Sequence, residues 1–382
     1  MTPPRARDLG IPFGGTPGTW NAITDVPGVQ VGYQTLIEGE SVRTGVTAIH
    51  PRGAAGAGDP VVAGFFSQNG NGEMTGTSWI EESGTFSGPI GITNTHAVGV
   101  VHAAIVAWTA RHHPRLTQAW LMPVVAETYD GYLNDINGHH VTEQTGIAAL
   151  EAAASGPVAE GSVGGGTGMN CYQFKAGSGT SSRLVSYAGS SYAVGVFVQA
   201  NFGRRQELTL AGLPLGRMLA ADNPMTEFRA AQRSPMPPPG AGSVIAIVGT
   251  DAPLLPGQCK ALARRVTLGL ARTGTTGSHF SGDLFLAFST GNPAAVTPGV
   301  AVFSDSGGTS SALSATGGDY DALRFIPWGR LDPFCEAVVQ ATEEAVANAL
   351  VAGEDMTGAN GHRSPGLPRD QVARLFSSHG QP

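Results

Sequence analysis

Short apolar runs recur along the chain and alternate with turns that are rich in glycine and proline. Runs of β-branched and aromatic residues that are bounded by such turns are typical of β-strands. The pattern predicts an alternating strand after a turn at 20–33, and further strands at 44–50, 61–66, 89–93, 121–125, 192–200, 243–248 and 283–288. These runs are spread over most of the chain, so we expect a fold that is rich in sheet.

Other segments carry apolar residues at the spacing of an α-helix. They predict helices at 98–111, 142–154, 256–273 and 332–351, with a short final helix at 371–376. Thr142 is the candidate N-cap of the second helix, and Pro333 lies in the first turn of the fourth. Strands and helices occur on both sides of a proline-rich segment at 225–242, and we find no internal repeat. We therefore predict one layered α/β domain over residues 1–382.

Ser243 lies where this proline-rich connector meets an apolar strand, directly after Gly242. A carbonyl in a connector is accessible, and the missing side chain of Gly242 lets a nucleophile come close to it. Our central hypothesis is that Ser243 attacks the Gly242 carbonyl, cuts the chain and becomes an N-terminal nucleophile. The plainer interpretation is a linker followed by a strand that starts with serine, and this stretch alone favours it.

Composition and charge exclude several classes of protein. Hydrophobic residues make up 41% of the 382 residues and charged residues 13%, which is typical of a globular protein with a buried core. A net charge of −7 without cationic runs argues against partners such as nucleic acid or a membrane surface. Neither an apolar leader nor a membrane-spanning run is found. We expect a cytoplasmic protein, in which Cys171, Cys259 and Cys335 are reduced thiols.

Common catalytic templates are missing from the sequence. We find no nucleophile elbow, no dinucleotide-binding glycine motif and no His-Glu-x-x-His pair, and His139-His140 suits a solvated loop better than a metal. We therefore expect neither a cofactor nor a metal, and EDTA should leave activity intact. Ser306 in Ser304-Asp-Ser-Gly-Gly308 resembles the nucleophile of trypsin-like proteases, but the predicted helices argue against that all-β fold. In a trypsin-like enzyme, Ser306→Ala would abolish hydrolysis and Ser243→Ala would not.

An N-terminal serine needs no catalytic histidine, because it carries a base of its own. A free α-amine has a reference pKa of about 7.7–8.0, so a useful fraction is neutral near pH 7. After cleavage before Ser243, this amine would lie beside the hydroxyl that it activates.

Motifs along nearly the whole chain resemble those of the P1 peptidase family, the DmpA and β-aminopeptidase group of self-processing aminopeptidases. Each motif alone is weak, but together in this order they are highly specific. The matching segments are Asp25-Val-Pro-Gly-Val-Gln-Val-Gly32, Gly70-Asn-Gly-Glu-Met-Thr-Gly76, Glu127-Thr-Tyr-Asp-Gly131, Gly164-Gly-Gly-Thr-Gly-Met169, Phe174-Lys-Ala-Gly-Ser-Gly-Thr-Ser-Ser-Arg183, Asn201-Phe-Gly203, Gly242-Ser243 through Thr250-Asp-Ala-Pro253, and Met356-Thr-Gly-Ala-Asn360. The resemblance reverses the balance in favour of Ser243 as a nucleophile.

The resemblance implies a four-layer αββα sandwich of the DmpA and ornithine acetyltransferase type. It also implies self-cleavage between Gly242 and Ser243 into an α-chain, 1–242, and a β-chain, 243–382, and assembly into homotetramers of such pairs. The implied partner is a small peptide, amide or ester substrate with a free amine. The implied activity is release of the substrate's N-terminal residue through an acyl-enzyme.

The resemblance also implies roles for single residues. Ser243 matches the nucleophile, and Ser281 matches a second serine of the active site. Asp283 stands where the family typically has glutamate, so its carboxylate is one methylene shorter and its reach to Ser281 or to the Ser243 amine is in question. Asn201 matches the side chain that donates to the oxyanion. Without the family, Ser281, Asp283 and Asn201 would be ordinary residues at the ends of strands.

Two residues of the Glu127–Gly131 motif complete the expected site. Tyr129 matches a tyrosine that contacts the tetrahedral intermediate, although a half-buried core tyrosine is the plainer interpretation. Glu127 is our candidate for binding the free amine of the substrate, because an aminopeptidase must recognise a cation. The glycine-rich loops at 69–76 and 164–169 either shape the pocket or only turn the chain beside it.

Two other functions stay open. An acyltransferase of the ornithine acetyltransferase type shares the fold, but those proteins use threonine as the nucleophile and this chain has Ser243. An uncleaved binding protein would run as a single band on a denaturing gel. The sequence does not decide between L-aminoacyl, D-alanyl and β-aminoacyl substrates.

Overall fold

The structure, a computed structural model, describes residues 4–118, 120–226, 242–295 and 321–379, and its longer strands form two sheets. One sheet has four strands in the order β1-β2-β5-β6, and the other has six in the order β4-β3-β12-β11-β10-β9. The strands are β1 (Gln30–Glu38), β2 (Val42–His50), β3 (Val61–Gly70), β4 (Thr85–Phe86), β5 (Ile90–Asn94), β6 (Val124–Thr128), β7 (Asn170–Cys171), β8 (Phe174–Lys175), β9 (Ser178–Tyr187), β10 (Ser190–Asn201), β11 (Ser243–Thr250), β12 (Gly282–Ser289), β13 (Met356–Thr357) and β14 (Arg363–Ser364).

Helices cover the outer faces of both sheets. The α-helices in the described part of the chain are α1 (Thr77–Ser83), α2 (Val98–His112), α3 (Glu143–Glu151), α4 (Leu215–Met218), α5 (Pro256–Arg272), α6 (Asp332–Ala352) and α7 (Arg369–His379). Helices α2 and α3 pack on the four-stranded sheet, and α5 and α6 pack on the six-stranded sheet. The order of layers is therefore helix, sheet, sheet, helix, which is the predicted αββα arrangement.

Three hydrophobic clusters fill the three spaces between these layers. Strand β11 shows how one strand serves two of them, because successive side chains point to opposite faces of a sheet. Val244, Ala246 and Val248 belong to the cluster under α5 and α6, whereas Ile245 and Ile247 belong to the cluster between the sheets. All eight residues of β11 are buried. A strand that is buried on both faces reads as a continuous apolar run, and this is why the sequence predicts it.

Pairing inside the six-stranded sheet brings the two sides of the proline-rich segment together. Strand β11 lies between β10, to which it is antiparallel, and β12, to which it is parallel. Strand β12 in turn pairs with β3 in antiparallel orientation. The end of β10, the start of β11, the start of β12 and the end of β3 therefore meet at one edge of the sheet.

Most predicted elements agree with the structure, and one strand is displaced. Thr142 caps α3 as predicted, because its side chain accepts a hydrogen bond from the Thr145 N–H at 3.2 Å. The strand predicted at 121–125 is instead β6, which begins at Val124. Pro123 precedes it and has no N–H for a ladder, which accounts for the later start. Glu127 consequently lies inside the strand. The predicted strand at 121–125 would have placed it beyond the end.

Two predicted segments lie wholly or mostly outside the described residues, and other predictions concern membrane spans and cysteines. The trypsin-like motif with Ser306 and most of the segment at 225–242 lie outside them. None of the helices that the structure describes has the length and apolar character needed to cross a bilayer. Cys171, Cys259 and Cys335 are all buried and free.

Candidate active site

Ser243 is the first residue of β11 and lies at the sheet edge where four strand ends meet. It pairs with Asn201, the last residue of β10, and with Gly282, the first residue of β12. The side chains of Ser243, Asn201 and Ser281 are buried. The register of the sheet thus brings together residues that are far apart in the sequence.

The peptide bond between Gly242 and Ser243 is held with its carbonyl against two donors. The Ser243 hydroxyl donates to the Gly242 oxygen over 2.7 Å, and the Gly282 N–H donates to the same oxygen over 3.0 Å. The Gly282 N–H also lies 3.3 Å from Ser243 Oγ. A hydroxyl therefore touches the carbonyl group that it would attack, and a backbone donor polarises that carbonyl.

Neither glycine at this point can be replaced without a backbone clash. A Cβ at Gly242 would lie 2.1 Å from the Asn201 oxygen, and one at Gly282 would lie 2.5 Å from the Asn71 oxygen. These close approaches bring the Gly242–Ser243 peptide against the end of β10 and the Gly282 donor against the turn that follows β3. Gly282 could not be predicted from the sequence, because a backbone N–H donor is not marked by any residue type.

Asp283 reaches Ser281 despite its short side chain. Ser281 Oγ donates to Asp283 Oδ1 over 2.5 Å, and Asn69 Nδ2 donates to Asp283 Oδ2 over 2.9 Å. Burial raises the pKa of Asp283, and the hydrogen bonds from Ser281 and Asn69 work against that rise. The carboxylate is thus fixed between two donors. Asn69, which the sequence placed in a glycine-rich loop without a role of its own, lies in β3 and pairs with Asp283 across the ladder between β3 and β12.

The orientation of the Asn201 side-chain amide follows from its hydrogen-bond partners. Asn201 Oδ1 accepts from the Asn170 N–H over 3.0 Å, and Asn201 Nδ2 donates to the Tyr129 carbonyl oxygen over 2.8 Å. Because a backbone N–H can only donate, the oxygen of the amide must face Asn170 and the nitrogen must face Tyr129. An amide nitrogen carries two hydrogens, and the Tyr129 contact uses one of them. The Tyr129 contact does not use the other, which in the role that the family resemblance implies would donate to the oxyanion.

The Tyr129 side chain is half exposed, and its ring lies over Gly131. A Cβ at Gly131 would come within 2.3 Å of the Tyr129 hydroxyl oxygen. Burial of the rest of the ring raises the pKa of Tyr129. The Tyr129 carbonyl oxygen accepts the hydrogen bond from Asn201 Nδ2. The structure therefore places Tyr129 beside Asn201 through its backbone.

Glu127 approaches the same place from the other sheet. Its Oε1 accepts from the Glu73 N–H over 3.0 Å, and its Oε2 accepts from the Thr95 hydroxyl. A Cβ at Gly72 would lie 3.2 Å from Glu127 Oε1 and 3.0 Å from Gly282 Cα, so the turn that follows β3 lies between this carboxylate and the Gly282 donor. Burial raises the pKa of Glu127.

The structure therefore brings all six predicted side chains to one end of the sandwich. Two buried carboxylates lie there, and a buried negative charge is best compensated by a cation such as a substrate amine. Among the residues that the structure describes, no cluster of histidine, cysteine, aspartate or glutamate is arranged to hold a metal ion. A candidate nucleophile, candidate oxyanion donors and two carboxylates in one place are the groups that acyl transfer from a substrate with a free amine requires.

Comparison with known proteins places this arrangement among peptidases. The sequence profile of peptidase family S58 matches residues 21–364. The beta-peptidyl aminopeptidase BapA of Sphingosinicella microcystinivorans is 48% identical to the chain, over 98% of the chain and 92% of that protein. The BapA of Sphingosinicella xenopeptidilytica is 44% identical, over 98% of the chain and 91% of that protein.

Solved structures with the same fold include two aminopeptidases. The L-aminopeptidase D-Ala-esterase/amidase of Ochrobactrum anthropi, described as a variant of the Ntn-hydrolase fold, superposes with a TM-score of 0.87 at 43% identity, over 99% of both chains. A β-aminopeptidase of a Burkholderia species superposes with a TM-score of 0.85 at 42% identity, over 99% of this chain and 100% of its own. The predicted fold class is confirmed.

Proposed function

The chain belongs to peptidase family S58, and on this basis we propose that it is an N-terminal aminopeptidase that matures by cutting its own chain before Ser243. The aminopeptidase class, which the sequence predicted, is confirmed by the family and by the names of the relatives. The acyltransferase alternative is not favoured. The observation that carries the proposal of self-cleavage is the 2.7 Å contact between the Ser243 hydroxyl and the Gly242 carbonyl oxygen.

In maturation, Ser243 Oγ attacks the Gly242 carbonyl carbon. The hydroxyl proton passes to the nitrogen of Ser243, the C–N bond breaks and an ester forms between Gly242 and Ser243 Oγ. The Gly282 N–H, already 3.0 Å from the carbonyl oxygen, stabilises the negative charge that develops there. Water then hydrolyses the ester and leaves a carboxylate on Gly242 and a free amine on Ser243. The products are the α-chain, 1–242, and the β-chain, 243–382.

In turnover, the neutral amine of Ser243 takes the proton of its own hydroxyl as Oγ attacks the carbonyl of the substrate's first residue. The Asn201 amide and the Gly282 N–H donate to the oxyanion, and loss of one such donor costs about 10²–10³ in kcat. Ser281, held by Asp283 at 2.5 Å, lies within the same group of side chains and relays the proton to the leaving amine. Water then hydrolyses the acyl-enzyme and restores the Ser243 hydroxyl.

Glu127 binds the free amine of the substrate. Its carboxylate is buried, so an ammonium group that enters the site stabilises its charged form by direct attraction. The substrates are small peptides, amides or esters with a free amine. Assembly into homotetramers of αβ pairs, which the family resemblance implies, and a cytoplasmic location, which we expect from the sequence, are further parts of this proposal.

The choice between amino acid classes can be measured directly. The relatives are named for β-peptidyl, L-aminoacyl and D-alanyl substrates. We expect hydrolysis of at least one p-nitroanilide of L-alanine, D-alanine or β-alanine. Transfer of an acetyl group from N-acetylornithine to glutamate, with all three anilides inert, would instead support the acyltransferase.

The decisive variant is Ser243→Ala. The wild-type protein should show two bands on a denaturing gel, with one amino-terminal sequence that starts Ser-Val-Ile-Ala, and should hydrolyse an anilide. Ser243→Ala should give a single band near 39.1 kDa without hydrolysis. The exposed Ser191 offers a matched control, because Ser191→Ala should leave both bands and the activity unchanged. An active wild-type protein without a chain that starts at Ser243 would contradict the proposal, and so would loss of activity in Ser306→Ala alone.

A further inference from the structure

Lys175, the last residue of β8, is a fully buried lysine whose amine donates hydrogen bonds to backbone carbonyl groups. Its Nζ donates to the Met169 oxygen over 2.9 Å and to the Ala176 oxygen over 2.6 Å. Burial lowers its pKa to about 7. A buried amine is costly compared with an apolar side chain of similar length, so its retention here calls for a role.

The Met169 carbonyl belongs to the same peptide group as the Asn170 N–H. The carbonyl end of this peptide accepts from Lys175 Nζ and, over 3.2 Å, from the Ala176 N–H. The N–H end donates to Asn201 Oδ1 over 3.0 Å. A trans peptide is planar, and its C=O and N–H point in opposite directions. A bond that fixes one end therefore fixes the direction of the other.

The hairpin of β7 and β8 places Lys175 where this contact is possible. Its register pairs Asn170 with Lys175, and the two residues between the strands, Tyr172 and Gln173, have φ values of 51° and 60°. Two successive residues with positive φ are typical of the tight turn that matches the twist of a two-stranded hairpin. Neither residue is glycine, so the turn is strained and the surrounding structure must hold it.

The other end of the peptide controls a donor in the active site. Because Asn201 Oδ1 is bound to the Asn170 N–H, Asn201 Nδ2 faces the Tyr129 carbonyl. Hydrogen bonds in a chain polarise one another, so a donor on the Met169 oxygen also strengthens the Asn170 N–H and, through the amide, the Asn201 N–H.

We propose that Lys175 is a positioning residue for the oxyanion donor Asn201, acting through the Met169–Asn170 peptide. This inference rests on the proposed function, in which Asn201 donates to the oxyanion. Lys175 touches neither the substrate nor the reacting atoms, and its effect reaches them through two hydrogen bonds and the amide of Asn201.

The test is a double-mutant cycle on the full-length protein, with kcat and KM measured on an anilide and expressed per cleaved chain. Lys175→Met keeps the length of the side chain and removes the donor. It should lower kcat about three- to tenfold and leave KM nearly unchanged. This loss is smaller than the loss of about 10²–10³ expected when an oxyanion donor is removed, because Asn201 is weakened and not removed. In the Asn201→Ala background the same substitution should have no further effect on kcat, because the group through which it acts is gone.

Asn348 in α6 provides a control for general loss of stability. It is buried, accepts from the Ala6 N–H over 2.9 Å and donates to the Thr180 oxygen over 2.9 Å, and neither partner belongs to the candidate active site. Asn348→Leu should lower the thermal midpoint. Whatever its effect on kcat, the factor should be the same in the wild-type and the Asn201→Ala backgrounds. If Lys175→Met fails to fold, Lys175→Gln replaces it in the cycle. Glutamine keeps an N–H donor, so the expected loss of kcat is smaller.

Two results would overturn the inference. One is an unchanged kcat in the Lys175 variant, and the other is an equal loss in the presence and absence of the Asn201 side chain. Either result leaves the hydrolysis of the wild-type protein intact, so a failure of this inference is separate from a failure of the proposed function. The latter would appear as a wild-type protein that is inactive or has no chain starting at Ser243.

Discussion

Asp130 lies next to Tyr129 in the sequence and is one of the most strongly perturbed carboxyl groups in the described structure. The residue is fully buried. Burial raises its pKa to about 7, and hydrogen bonds from Thr44, Asn134 and Asn94 only partly oppose this rise. The folded protein therefore favours the protonated form of Asp130, whereas the unfolded chain ionises near pH 4.

This perturbation predicts a pH-dependent effect of Asp130→Asn. Because the pKa is higher in the folded state, the contribution of Asp130 to stability is present below about pH 4 and is lost as the pH rises through about 7. The variant cannot ionise, so it should gain stability relative to the wild-type protein by roughly 2–3 kcal/mol between about pH 5 and pH 8. Urea denaturation of both proteins at the two pH values measures this difference. An equal difference at both values would contradict the buried, protonated Asp130.

At the scale of residues, the sequence predicted the side chains of the site better than their supports. Ser243 and Asn201 became candidates because they stand in motifs that resemble those of the family, and Ser281 because it matches a second serine of the family's active site. The Gly282 N–H could not, since its role depends on the register between β11 and β12. The support of Asn201 by Asn170 depends on a backbone N–H in the same way.

At the scale of elements, strand β9 shows why some of the fold was missed. Its residues Ser178 to Arg183 are all buried although most are polar, so the strand lacks the apolar pattern that identified β11. Hydrogen bonds replace apolar contacts here. Arg183 forms an ion pair with Glu344 of α6 over 2.7 Å, and Thr180 donates to the Val196 oxygen over 2.7 Å. Such pairing joins distant segments, and a pattern within one segment cannot predict it.

The contact between β9 and α6 also yields a matched pair of glycine substitutions. A Cβ at Gly179 would lie 2.1 Å from the Ala345 oxygen and 2.8 Å from the Ala349 Cβ. Gly179→Ala should therefore destabilise the fold by about 1–3 kcal/mol or more, because the strand and the helix must separate. Gly99, exposed near the start of α2, has no atom within 4 Å of an added Cβ, so Gly99→Ala should stabilise by up to about 1 kcal/mol.

The free energy of unfolding of both variants tests this contact. Both changes add one methyl group, at Gly179 against the backbone of α6 and at Gly99 in the exposed first turn of α2, where helix propensity also favours alanine. Equal effects of the two substitutions would show that β9 and α6 do not approach as closely as the Gly179 contacts require.

At the scale of the whole molecule, the proposed cleavage falls within a single sheet. Strand β11 would belong to the β-chain, but it pairs with β10, and β12 pairs with β3, both of the α-chain. The sheet therefore depends on ladders between the two products. The sequence predicted this layered architecture from its strands and helices and from the family resemblance, but not the order of strands that interleaves the two halves.

This interleaving predicts that the cleaved chains stay together. In a native buffer, size-exclusion chromatography should give one peak that contains both chains, and only a denaturant should separate them. The uncleaved Ser243→Ala protein is the control and should elute at the same position. Separate native peaks for the two chains would contradict the strand order.

The place of Ser243 in the sheet has a consequence for the terminus that cleavage would create. Most chain ends fray, because few contacts restrain their first residues. Here the first residue would open a strand with neighbours on both sides, and the rest of that strand is buried. The new amine would be anchored like an interior residue, so its amide neighbours should exchange hydrogen with solvent as slowly as the middle of the sheet.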